Sequence, residues 1–81
     1  MITNRLIELN EQAVDRANDR AKRAIDRRDY ETAATEKFLV AALLRERGNY
    51  VYSSDVAEAQ AAYFMAGAVE SAARELEKKV R

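Results

Sequence analysis

From Leu6 to Ile25, apolar residues recur at intervals of three and four: Leu6, Ile7, Ala13, Val14, Ala17, Ala21, Ala24 and Ile25. At about 100° per residue these share one helix face. Arg5, Arg16, Arg20, Arg23 and Arg27 form a basic stripe beside it, and Glu8, Glu11, Asp15, Asp19 and Asp26 an acidic stripe beyond. The pattern predicts a first helix over 4–27, with Thr3 or Asn4 accepting from the free amides of its first turn. A second apolar arc, over residues 30–44, lies about 180° from the first on the same wheel. Supercoiling drifts only ~20° per heptad, so one continuous helix does not explain such a flip. A turn at "RRDY", with Asp29 as the cap, returns both faces to one core.

The second helix is expected over 30–47, ending at Gly48 because glycine accepts the left-handed conformation without steric cost. "NYVYSS" then connects to a third helix over 55–80. Either Asp55 with Glu58 as a capping box, or Ser54, starts it. Val56, Ala59, Tyr63, Ala66, Val69, Ala73, Leu76 and Val80 follow along one side, at the spacing of a left-handed bundle seam. At 1.5 Å per residue the outer helices reach ~36–39 Å and the middle one ~27 Å. The expected fold is all-α: a three-helix antiparallel bundle in which two long helices flank a shorter one. About two turns of the long helices would then stay uncovered.

Composition sharpens this. Alanine occurs 16 times, glycine twice and proline never, which favours helix throughout. The 81 residues fit one domain, 1–81. Leucine, isoleucine, valine and phenylalanine total 17, close to the ~20% floor of stably folded chains, so self-association is expected to help the fold. With neither cysteine nor histidine, disulfides, thiolate chemistry, histidine bases and histidine-ligated metals are excluded. No glycine-rich phosphate loop and no nucleophile beside a base stand in the sequence, so a non-enzyme without cofactor or metal is expected. "MITNRLIELNEQ" lacks the form of a secretory signal, and no run is apolar enough for a membrane span; a cytoplasmic location is expected. Fourteen basic and fourteen acidic side chains cancel, leaving no global field toward nucleic acid.

"FLVAALL" (38–44) and "AAYFMAGAV" (61–69) are apolar on every side, more than one small core needs. Ala57, Ala61, Phe64, Ala68 and Ala72 make a second face on the third helix, and Leu39 and Leu43 fall away from the main arc of the second. These seven are scattered surface apolars or a protein–protein interface; the interface reading leads, and a homodimer forming a larger helical oligomer is its simplest form. Asn10 interrupts the first apolar stripe, either as a register-setting buried amide or at a loose helix end. Lys37 is expected to lay its stem on apolar surface with its ammonium in water. Of Tyr50 and Tyr52, one plugs the bundle end, or both form a recognition loop.

The row Arg16, Arg20, Arg23 and Arg27 has three readings. It is a solvated face neutralised by Asp19 and, across the bundle, by Glu70 and Glu77; or it meets an acidic protein partner; or it binds phosphate, as nucleic acid or a nucleotide. "RRDYETAATEKF" resembles the turn and second helix of tetratricopeptide-type and microtubule-interacting-and-trafficking-type hairpins over a dozen residues. Lys37 stands in place of the tetratricopeptide aromatic, Arg28 in place of the glycine, and no second copy follows at a period of 34; no binding residue carries over. The sequence therefore points to a self-associating interaction module, a small helical regulator, adaptor or inhibitor with a protein partner. The alternative is a phosphate-ligand or nucleic-acid sequestering protein that uses the arginine row.

Overall fold

A computed structural model describes residues 2–80, excepting the side chains of residues 2 and 3. It contains three helices: α1 (Ile2–Asp26), α2 (Tyr30–Val51) and α3 (Val56–Glu77). The all-α expectation holds, and the turn falls where the apolar phase flips. Arg28 adopts φ 60, the left-handed region. Its amide donates to Ile25 O (2.9 Å) and the amide of Asp29 to Ala24 O (2.8 Å), so the last carbonyls of α1 are satisfied in the manner glycine usually serves. Asp29 then caps α2 by accepting from the Thr32 amide, which holds its carboxyl below the usual range. Asp55, rather than Ser54, caps α3 by accepting from the Glu58 amide.

Several boundaries differ from expectation. α1 already runs from Ile2, so Thr3 and Asn4 lie within it rather than at its cap. α2 continues through Gly48 to Val51, and α3 stops at Glu77. The middle helix is as long as the third, 22 residues each, and the expected overhang disappears. Gly48 is a buried packing position and not a helix stop. The Tyr63 ring of α3 lies against it where a Cβ would sit, and the Tyr63 hydroxyl donates to Asn49 Oδ1 at 2.6 Å. Tyr50 belongs to α2 and donates to Glu46, Tyr52 is exposed, and Val51 is the residue buried at this end.

α2 is the shared element. Asn10 donates to Leu43 O (2.8 Å), Lys37 to Asn18 Oδ1 (3.0 Å) and Arg20 to Glu36 (2.9 Å), so contacts ascend α1 as they descend α2. Arg45–Glu70, Arg47–Glu58 and Tyr63–Asn49 join α2 to α3. α1 and α3 bring no Cα atoms within 8 Å of each other among the described residues. The Cα envelope, 43 × 20 × 12 Å, is accordingly thin: an open bundle with α2 in the middle. This central place accounts for part of "FLVAALL": Val40, Ala41 and Leu44 are buried, while Leu39 and Ala42 stay exposed.

The interior is built of small side chains. Among the described residues, ten of the thirteen buried apolar residues are alanines, and Val40 is the largest side chain fully enclosed. Ala17, Val40, Ala41, Leu44 and Ala66 form the central cluster, flanked by Val14 and Val69. A buried methyl contributes about 0.8 kcal/mol, against about 1.5–3 for a larger aliphatic or aromatic side chain, so this core holds the helices close but weakly. Asn10 is 4% exposed, which decides for burial, and the ammonium of half-buried Lys37 donates to Asn18 Oδ1.

Two outcomes test this packing. Gly48→Ala should lower the unfolding free energy by about 1–2 kcal/mol, because displacing the Tyr63 ring outweighs the gain in helix propensity. Gly67→Ala, where a Cβ meets nothing within 4 Å, should raise it by about 0.5–1 kcal/mol. Urea unfolding of both variants measures the contrast. By the same assay Arg28→Gly should stabilise by about 0.5–1 kcal/mol, since glycine takes the left-handed conformation without the steric cost arginine bears.

Candidate interaction surface

α3 turns Ala59, Ala62, Ala66 and Ala73 inward, all buried. Residues about half a turn away must then face out, and Ala57, Ala61, Phe64, Ala68 and Ala72 are all exposed. Phe64 is 80% exposed, the highest value of any large apolar side chain among the described residues. Beside it stands Met65, 53% exposed. No charged residue occurs between Ala59 and Val69, so over about three turns this outer face carries no ion to solvate it. An aromatic of this size, half ringed by alanine and with an open glycine at 67, has no partner within the chain.

The sequence-predicted interface residues are therefore not brought together as one patch. Leu39 (41% exposed) and half-buried Leu43 belong to α2, on the far side of α3 from this face. Leu43 sits at the α1 contact, where its carbonyl accepts from Asn10. Met65 was missed by the pattern, although its position next to Phe64 in an uncharged run was a legible signal. It also borders a shallow groove between α1 and α3, with Val14 opposite and Leu44 and Arg47 at the floor. Arg47 reaches both outer helices there, to Glu11 at 3.0 Å and Glu58 at 3.4 Å.

The arginine row is divided. Arg20 donates to Glu36, and that bond raises the guanidinium pKa above its ordinary value by favouring the cation. Arg23 pairs with Asp19, as the four-residue spacing foretold. Arg16 and Arg27 make no ion pair among the described residues. Glu70 does not reach the row, because α3 lies across α2 from α1; it pairs with Arg45 and Arg74 instead. Tyr50 keeps its proton to higher pH by donating to Glu46, while Tyr52 stands exposed in the turn after α2. Among the described residues no group of three acidic side chains converges to hold a metal ion, and no helix is long and apolar enough to cross a membrane.

Compared with known family models, curated proteins and solved structures, the chain matches none. The reading of the surface therefore rests on its own chemistry. Of the four arginines in the row, Arg20 has the interhelical role: its loss leaves Glu36, with one carboxylate oxygen already buried and unpaired, without its cation. Arg20→Gln should lower the urea midpoint, whereas Arg16→Gln and Arg27→Gln should leave it unchanged.

Proposed function

We propose that this chain is a non-enzymatic interaction module that self-associates and presents helix faces to a protein partner, as a small cytoplasmic regulator, adaptor or inhibitor. In this reading the three helices form an antiparallel bundle, up, down and up, and two or more copies assemble into a larger helical oligomer. One observation carries it: the uncharged outer face of α3 with Phe64 80% exposed at its centre. Covering an aromatic and a thioether that the monomer leaves in water is a direct source of association free energy. The thin alanine core supports the same view, because a chain that buries little in itself gains most from burying more against another. The surface of 5538 Å² exceeds the about 4,900 Å² of a closed monomer of this mass.

The phosphate-binding alternative draws less support. Two of its four arginines already hold carboxylates, and acidic side chains flank the rest.

Light scattering on a sizing column across a concentration range tests the reading. The expected mass is about twice 9.2 kDa or more, dissociating on dilution. Phe64→Glu should give the monomer with its helical content unchanged, and raised salt should weaken assembly only slightly. A monomer at every concentration, with no effect of the substitution on any partner captured, would remove this reading.

A further inference from the structure

The groove over α2 lies toward the end where α1 and α3 both begin, and it encloses about 460 Å³. Each wall is one row of a helix. On α1 stand Glu8, Glu11, Gln12 and Asp15, at offsets of three, four and seven. On α3 stand Glu58, Ala61, Ala62 and Met65, at the same offsets, along a recess of about 190 Å³ that shares Leu44, Arg47 and Met65 with the groove. The bottom is apolar, with Val14, Leu44 and Met65, and the rim is acidic.

Four carboxylates, Glu8, Glu11, Asp15 and Glu58, line this space against one cation, in a chain whose charges cancel overall. That cation, Arg47, is already shared between Glu11 and Glu58. Glu8 has an exposed pair with Arg5 of its own helix, and Asp15 makes no ion pair among the described residues. Glu8 lies three positions from Glu11 and Asp15 four, spacings at which like charges on a helix repel. Cations set along this rim relieve the repulsion at both ends.

We propose, resting on the partner-binding half of the function above, that this groove receives an amphipathic helix of a different protein. Its apolar stripe lies on Val14, Leu44 and Met65, and lysines or arginines on its flank meet Glu8, Glu11 and Asp15. Walls two turns long match the i, i+3, i+4 and i+7 anchors by which a helix seats in a groove. Charge separates this occupant from α3 of a second copy. No charged residue occurs between Ala59 and Val69, so the apolar stretch of that helix brings no cation to the rim.

The probe is a fluorescein-labelled synthetic helix of about four turns, ~14 residues, with leucines at i, i+3, i+4 and i+7 flanked by lysines. A control helix carries glutamate at each lysine position. Anisotropy reads binding to the 81-residue chain, and light scattering reads the mass of the same samples. The basic helix should bind saturably, and the acidic control about tenfold or more weaker. Glu8→Gln with Asp15→Asn, positions without interhelical contacts, should weaken the basic helix about tenfold with the circular dichroism unchanged. Met65→Gln should weaken it too, and Phe64→Glu should leave it bound. Failure to bind, equal binding of both helices, or indifference to either groove variant overturns this proposal. Loss of binding with Phe64→Glu overturns it as well, in favour of the outer face of α3. So does a dimer mass that the Glu8→Gln, Asp15→Asn variant abolishes, because a second copy then fills the groove. The function above fails separately: a monomer mass at every concentration, with rim-dependent binding of the basic helix, removes self-association alone.

Discussion

The approach of three helices over alanine governs this structure. Ala17, Ala21 and Ala24 of α1, Ala33, Ala34 and Ala41 of α2, and Ala59, Ala62, Ala66 and Ala73 of α3 are the side chains at the contacts. Methyl groups bring helix axes close, but they present shallow ridges that interlock poorly. Register must then come from elsewhere, and polar clasps supply it. Asn10 on the Leu43 carbonyl and Lys37 on Asn18 hold α1 to α2, and Tyr63 on Asn49 holds α2 to α3. Arg47 ties both outer helices to the middle one. The cost of an alanine core is a small hydrophobic gain; its consequence is that the larger apolar side chains stay outside.

How much of this the sequence discloses depends on whether a signal is local. The turn at residues 27–29 was legible because a phase flip of the apolar arc is a property of one stretch of chain. Asp29 and Asp55 were legible as caps because capping involves residues three apart. Gly48 was misread for the opposite reason. Glycine stops a helix where nothing else occupies its space, but here a ring from α3 lies over it, and no local pattern announces a tertiary neighbour. Arg28 shows the converse, a left-handed helix end without the residue that usually marks one.

The candidate surface divides along the same line. Ala57, Ala61, Phe64, Ala68 and Ala72 are exposed together because they share a single helix face. Leu39 and Leu43, read into the same interface, lie on α2 and apart from that face, since a helical wheel says which way a residue points but not which helix stands there. The all-round apolarity of "FLVAALL" is used in part: Val40, Ala41 and Leu44 are buried between two neighbours, while Leu39 and Ala42 stay exposed. Glu70 was assigned to the arginine row on the assumption that α1 and α3 touch. With α2 between them, Glu70 pairs with Arg45 and Arg74, and the row is left to Asp19 and Glu36.

If α3 pairs with its own copy, the two halves of the proposed function compete. A partner that seeks the Phe64 face must first displace the second copy, so its apparent affinity falls as the chain becomes more concentrated. A partner that uses another surface meets no such competition. Arg16 on α1, Arg27 in the turn after it and Leu39 on α2 all lie away from the outer face of α3 and stay uncovered when it pairs. Two-fold symmetry then presents each of them twice, at a fixed separation. A divalent partner engaging both copies gains effective concentration that no monomer could give it. Assembly through α3 would therefore make the remaining helix faces better binding surfaces than the same faces on a single chain.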